Sequence, residues 1–307
     1  MSSWTPLPDA APANWVDRRA PAWARPWLRL GRFDRPTGIW LLMLPGWQGI
    51  ALADAMDGQG PSPRLLILFL IGAALMRAAG CAYNDIVDRD FDAKVGRTAD
   101  RPIPAGEISV RQAWIFVGAC CAVSLLILLS LGGLAIWLGV ASLALVAAYP
   151  FMKRITWWPQ AWLGLTFNWG ALLGFAAVTG NLELPAILLY AGGVFWTLGY
   201  DTIYALQDLE DDALAGVKSS ARRLGGNVPR AVMGFYALAV LFAVLAGVLA
   251  GLGLLFVPLA ALYGTHLWRQ AMQVKLDQPR LALALFQLNT WAGAILFVGL
   301  ALGAVRL

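Results

Sequence analysis

Nine stretches of this chain are apolar over a length that crosses hydrocarbon: residues 37–53, 65–83, 113–131, 134–150, 160–178, 185–204, 231–250, 252–269 and 282–304. A bilayer core is about 30 Å thick, and a helix rising about 1.5 Å per residue needs roughly 20 residues to cross it. Within lipid every backbone N–H and C=O must be satisfied inside the segment, so such runs form helices. The expected fold is all-α, a polytopic membrane protein of about nine transmembrane helices. The charged fraction, 13%, is near half that of soluble domains. Leu131-Gly132-Gly133 and Ala250-Gly251-Leu252-Gly253 leave room only for very short turns. Pro45-Gly46 predicts a kink in the first span, because proline lacks an amide donor.

The 23 Lys and Arg residues fix an orientation. All but Arg64 and Arg306 lie before the first span, or near or beyond the end of an even-numbered one. By the positive-inside rule the N-terminus is cytoplasmic, the C-terminus outside, and the number of spans odd. The net charge of +5 is thus a topology signal, and no nucleic-acid partner is expected. Residues 1–36 form a polar cytoplasmic tail without the apolar region of a cleaved signal. Trp23, Trp27, Arg29 and Arg32 suggest a segment lying on the membrane surface. Residues 37–307 are expected to form one transmembrane domain. Cys81, Cys120 and Cys121, all in apolar stretches, argue against a disulfide framework. A lone His266 puts histidine-rich metal sites and His-based triads out of reach.

Two carboxylate clusters break the apolar pattern, both on the cytoplasmic side. Asn84, Asp88 and Asp92 are spaced i, i+4, i+8, and Tyr204, Asp208 and Asp212 repeat that spacing. A helix stacks such residues on one face, where like charges repel. Two such sets call for a hard divalent cation bound through oxygen, and Mg²⁺ fits best. Asp85, Asp90 and Asp211 lie off these stripes. Loops 84–112 and 205–230 each begin with an acidic cluster and continue into basic residues, Lys94 to Arg97 and Lys218 to Arg223. This weak repeat would set two acidic sites facing each other across a cavity. A diphosphate bridged by Mg²⁺, with Lys and Arg neutralising the remaining charge, suits that chemistry. A long isoprenoid tail on that diphosphate would explain a site at the ends of membrane helices.

Asn84-Asp85-x-x-Asp88-x-x-x-Asp92 resembles the first aspartate motif of the UbiA superfamily of intramembrane prenyltransferases, and Asp201-x-x-Tyr204-Ala205-x-x-Asp208-x-x-x-Asp212 resembles the second. The flanks are similar too: Leu75 to Cys81, Arg97 to Gly106, Tyr149-Pro150-Phe151-Met152-Lys153-Arg154, and Gly216-Val217-Lys218-Ser219-Ser220. The likeness runs from Arg32 to the last span and is strongest to the 4-hydroxybenzoate polyprenyltransferases of ubiquinone biosynthesis.

That resemblance implies nine helices around a central cavity, a cytoplasmic cap over the active site, and a side opening to membrane lipid. It implies Mg²⁺-assisted loss of diphosphate from a polyprenyl diphosphate. The allylic cation would then alkylate an aromatic acid ortho to its hydroxyl. It assigns Asp88, Asp92, Asp208 and Asp212 to the metal, with Asn84 completing the first set. Arg101, Lys153 and Lys218 are candidates for the diphosphate. Arg77 and Arg154 are candidates for the acceptor's carboxylate, since arginine binds carboxylates through two parallel hydrogen bonds. A charge at Arg77, near the membrane end of a span, is costly unless paired. Tyr149, Asp201 and Tyr204 would orient substrate or metal ligands. Homogentisate, another quinone precursor or haem are alternative acceptors. A cation-dependent transporter or membrane-embedded binding protein is the reading from another class. Transporter sites usually lie near the bilayer midplane, whereas these acids gather at one surface.

Overall fold

In the computed structural model, residues 14–92, 98–209 and 216–306 are described, with the backbone alone at Phe91 and Asp208. The regular secondary structure of the described residues is all helical, with short 3-10 turns, connecting loops and no strand. Two short helices, α1 (Trp15–Arg19) and α2 (Arg25–Leu30), precede α3 (Thr37–Met56) and α4 (Pro63–Val87). A single turn, α5 (Arg89–Asp92), precedes α6 (Val110–Leu129), α7 (Gly133–Ile155), α8 (Pro159–Thr179) and α9 (Leu184–Tyr204). The remainder is α10 (Ser220–Leu224), α11 (Val228–Leu249), α12 (Phe256–Gln273) and α13 (Pro279–Leu302).

Each expected span falls on one of these long helices. Seven helical segments among the described residues are long and apolar enough to cross a membrane. α9 and α12 are not among them, so the count of nine is not reached on composition. The reason is chemical: α9 carries Tyr190, Tyr200 and Asp201, and α12 carries His266, Arg269 and Gln270. α6 and α7 leave Ile115, Leu126, Leu129 and Trp137 exposed, as lipid-facing helices do. The predicted short turns are present, with Gly132 and Gly251 both at positive φ. Pro45 lies inside an unbroken α3.

The described chain divides into two compact units, one of residues up to Trp40 with Leu70–Ile127, the other of Leu41–Phe69 with Leu128 onward. In the first unit, Leu30, Ala82, Ile86, Ile103, Ile108 and Ala113 form a buried cluster. Ile103 and Ile108 thereby dock the loop after the first aspartate motif onto the end of α4. Gly106, at φ 75°, makes the turn between them, a conformation that favours glycine. Arg29 and Arg32 are buried, Arg29 pairs with Asp17 at 2.8 Å, and Trp15 Nε1 donates to the Phe33 carbonyl.

In the second unit, α9 packs against α8, α11 and α13, and α12 against α11 and α13. α3 meets α8 backbone to backbone: a Cβ on Gly49 would lie 2.1 Å from the Ala171 carbonyl oxygen, and one on Gly174 2.3 Å from that of Gly46. Small residues permit such crossings in membranes, where lipid is as apolar as leucine and packing must supply the attraction. Trp196 Nε1 donates to Asn289 Oδ1 at 2.8 Å, and Asn289 Nδ2 donates to Gln270 Oε1 at 2.8 Å. These buried amides link α9, α12 and α13, because polar groups withdrawn from water must satisfy one another.

Candidate active site

α4 ends formally at Val87, yet helical bonding continues through the first motif. The Asp88 amide donates to the Asn84 carbonyl at 2.9 Å and the Asp92 amide to the Asp88 carbonyl at 2.8 Å. Asn84 is half-buried, while Asp85, Asp88 and Asp92 are buried. Asp90, off the stripe, is exposed at the surface beside Arg89. Burial pushes the Asp92 carboxyl above its usual range; Arg101 pulls it down, and Asp85 and Asp88 add to the rise.

Arg101 does not stand apart from these acids. Its Nη1 donates to Asp92 Oδ2 at 2.7 Å and to Asp85 Oδ1 at 3.1 Å. Arg32 Nη2 meets both oxygens of Asp85 at 2.8 Å. The Thr98 hydroxyl donates to the Asp92 carbonyl at 2.8 Å. Arg32 is the residue that sequence reasoning missed. Its tryptophan and arginine neighbours read as an interfacial segment, and only Asp85's offset from the stripe hinted at a separate partner.

Arg77, half-buried, lays its guanidinium on Gly38. A Cβ there would come within 2.7 Å of Nε and 2.8 Å of Nη2. The glycine after Pro36-Thr37 is therefore a seat for this side chain.

In the second unit, Asp201 and Tyr204 occupy the last turn of α9, and the Tyr204 ring lies 4.7 Å from that of Phe286. The expected α-helical stripe from Tyr204 to Asp208 is corrected. The backbone tightens into a 3-10 turn at Ala205–Asp208, with about three residues per turn in place of 3.6. Asp211 and Asp212 lie outside the described residues, as do Lys94 and Arg97.

Tyr149, Lys153 and Arg154 sit at the C-terminal end of α7, where cations also offset the helix dipole. Tyr149 packs on the unit's apolar core, Lys153 is half-buried and Arg154 exposed. The Lys218 amide donates to the Lys153 carbonyl at 3.0 Å, and its Nζ to the Ile155 carbonyl at 3.1 Å. Ser220 fixes this stretch of chain: its amide donates to Gln160 Oε1 at 2.9 Å, and its hydroxyl meets that of Thr202 at 2.7 Å. Two lysines far apart in sequence thus share one corner. Nothing in the local pattern around Gln160 and Thr202 signals that role.

Among the described residues no three acidic, histidine or cysteine side chains converge closely enough to enclose a metal. The donor chemistry nevertheless fits a hard cation. Asn84, Asp88 and Asp92 offer oxygen, and the burial and like charges that raise Asp92 favour an added positive charge.

The family model for the UbiA prenyltransferase family matches residues 42–294. The chain belongs to the UbiA prenyltransferase family. This UbiA family member is 48% identical over 290 residues to the mitochondrial 4-hydroxybenzoate polyprenyltransferase of Rattus norvegicus, covering 94% of this chain and 77% of that protein. Its identity to the protein of the same name from Arabidopsis thaliana is 46%, covering 95% and 72%. Among solved structures it resembles the apo UbiA homolog from Aeropyrum pernix K1, with TM-score 0.71 and 28% identity over 85% of this chain and 96% of that one. The UbiA homolog from Archaeoglobus fulgidus bound to GPP and Mg²⁺ shares the fold, with TM-score 0.64 and 22% identity over 90% and 99%. UbiA membership makes this multi-pass membrane protein a prenyltransferase.

Proposed function

We propose that this chain transfers a polyprenyl group from a polyprenyl diphosphate to 4-hydroxybenzoate, at the ring carbon ortho to the hydroxyl, in ubiquinone biosynthesis. The observation that carries this reading is the identity of 46–48% to relatives bearing that activity in their names, along nearly the whole chain. Asn84, Asp88 and Asp92 would hold Mg²⁺ from one motif, and Asp208 and Asp212 from the other. The chemistry that Mg²⁺ supplies when bound is neutralisation of charge on the departing diphosphate oxygens. Arg101, Lys153 and Lys218 hold the diphosphate, and Arg77 and Arg154 the acceptor's carboxylate. Tyr149, Asp201 and Tyr204 orient these groups.

The test is prenyl transfer by the purified chain in membranes, with a polyprenyl diphosphate and a panel of aromatic acceptors, read by product mass. Prenylated 4-hydroxybenzoate is expected as the main product. A preference for homogentisate would move the chain to another acceptor. Thorough chelation is expected to stop turnover and added Mg²⁺ to restore it; undiminished transfer would exclude a metal-bridged diphosphate.

Loss of the acceptor's carboxylate contact is expected in two variants. Gly38→Ala pushes the Arg77 guanidinium off its seat, and Arg154→Ala removes the other candidate. A charge-assisted hydrogen bond is worth about 1.5–3 kcal/mol, so KM for 4-hydroxybenzoate should rise roughly ten- to hundredfold. A neutral 4-substituted phenol should be affected less. Equal loss for both acceptors would place that arginine at the diphosphate.

We further propose the bacterial inner (plasma) membrane as its location; the charge bias argues only the orientation, with the N-terminus and both motifs cytoplasmic and α13 ending outside. Reporter fusions after α13 check this, and a cytoplasmic signal there would change the span count by one.

A further inference from the structure

Asp85 sits inside the first motif, one residue from Asn84, yet its surroundings differ from those of a cation ligand. Both of its oxygens are taken by Arg32, and Oδ1 also accepts from Arg101. The Arg32 side chain is only 9% exposed, and that of Asp85 1%.

Arg32 itself occupies an unfavourable backbone position. The Phe33 amide donates to the Leu28 carbonyl and the Arg32 amide to the Arg29 carbonyl. That pair of bonds closes α2 in the manner that normally places glycine at the left-handed residue. Here that residue is Arg32, at φ 59° and the sole non-glycine of positive φ among the described residues. An arginine held where glycine is preferred implies that its side chain repays the strain. The repayment is the two-oxygen contact with Asp85, and through Asp85 the placement of Arg101.

We propose that Asp85 is a positioning residue that anchors Arg101, and that Arg32 in turn orients Asp85. This rests on the reading of Asp88 and Asp92 as cation ligands. Arg101 is shared between Asp85 and Asp92. Arg101 holds Asp92 through Oδ2 alone, at 2.7 Å, and the 3.1 Å contact of the same nitrogen with Asp85 keeps the guanidinium from taking both oxygens, which leaves Asp92 Oδ1 to a cation. It also keeps the guanidinium beside the metal ligands, where a diphosphate oxygen would lie.

The test uses the full chain in lipid nanodiscs with Mn²⁺ as the probe, since oxygen sites that suit Mg²⁺ also take Mn²⁺. The variant Arg32→Gly/Asp85→Asn removes both charges of the pair and gives the backbone its preferred glycine, so no charge is left buried alone. Mn²⁺ affinity should fall about tenfold, the scale of one further charge-assisted hydrogen bond from Arg101 to Asp92. KM for the polyprenyl diphosphate should rise while kcat at saturation is held. Adding Arg101→Gln should restore Mn²⁺ affinity but not KM.

An affinity equal to wild type in the double variant would overturn the proposal. So would a loss that Arg101→Gln fails to restore, because Asp85 would then be a ligand itself. Should the double variant not fold, Arg101→Gln alone decides: it should bind Mn²⁺ more tightly than wild type, and unchanged or weaker binding sinks the anchor. Wild-type protein that neither binds Mn²⁺ nor transfers a prenyl group would instead refute the functional reading.

Discussion

Asp88→Asn and Asp208→Asn should each lower turnover at least about hundredfold, and should suppress diphosphate release even with no aromatic acid present. Outer partners of metal ligands already cost roughly ten- to hundredfold when changed, and a ligand should cost no less. Asparagine keeps the shape of aspartate and removes its charge. At Asp88 the backbone bonds to Asn84 and from Asp92 do not involve the side chain, so the helix end should persist. What Asp88→Asn loses is the attraction for a cation in a buried setting, where water does not screen it. Provided that water can intercept the allylic cation when no acceptor is present, diphosphate release reports ionisation alone. Helical content and melting temperature in detergent serve as controls. Release at the wild-type rate from either variant would remove that carboxylate from the metal set.

A second large effect is expected far from the chemistry. Gly49→Ala places a methyl 2.1 Å from the Ala171 carbonyl oxygen. The obstacle is backbone, so no side chain can rotate away. α3 and α8 must separate, and with them the close approach of Gly46 to Gly170 and Gly174. Overpacking usually costs about 1–3 kcal/mol, and a forced shift between two spans belongs at the upper end. The check is the unfolding midpoint in detergent titration, with Gly72→Ala as the control, since a Cβ at Gly72 meets nothing within 4 Å. A Gly49→Ala midpoint matching that control would mean that the two helices do not cross this closely.

The sequence alone was enough for the helices. Backbone groups inside lipid must bond locally, so a long apolar run has one solution, and residues 113–131 and 134–150 became α6 and α7 with Gly132 at the turn. The i, i+4 spacing of Asn84, Asp88 and Asp92 was equally legible, because a helix face is a local property. The 3-10 turn at Ala205–Asp208 was not, since sequence spacing does not reveal where a helix end tightens. Arg32 looked interfacial because its charge says nothing of a partner 53 residues away. Gly49 and Gly38 carried no signal, because a glycine's reason is the atom that lies against it. Arg101 was legible as a basic residue near the acids, but not as one shared between Asp85 and Asp92. Those pairings depend on Ile103 and Ile108 docking their loop on Ala82 and Ile86, and such long-range burial is decided only when the chain is packed.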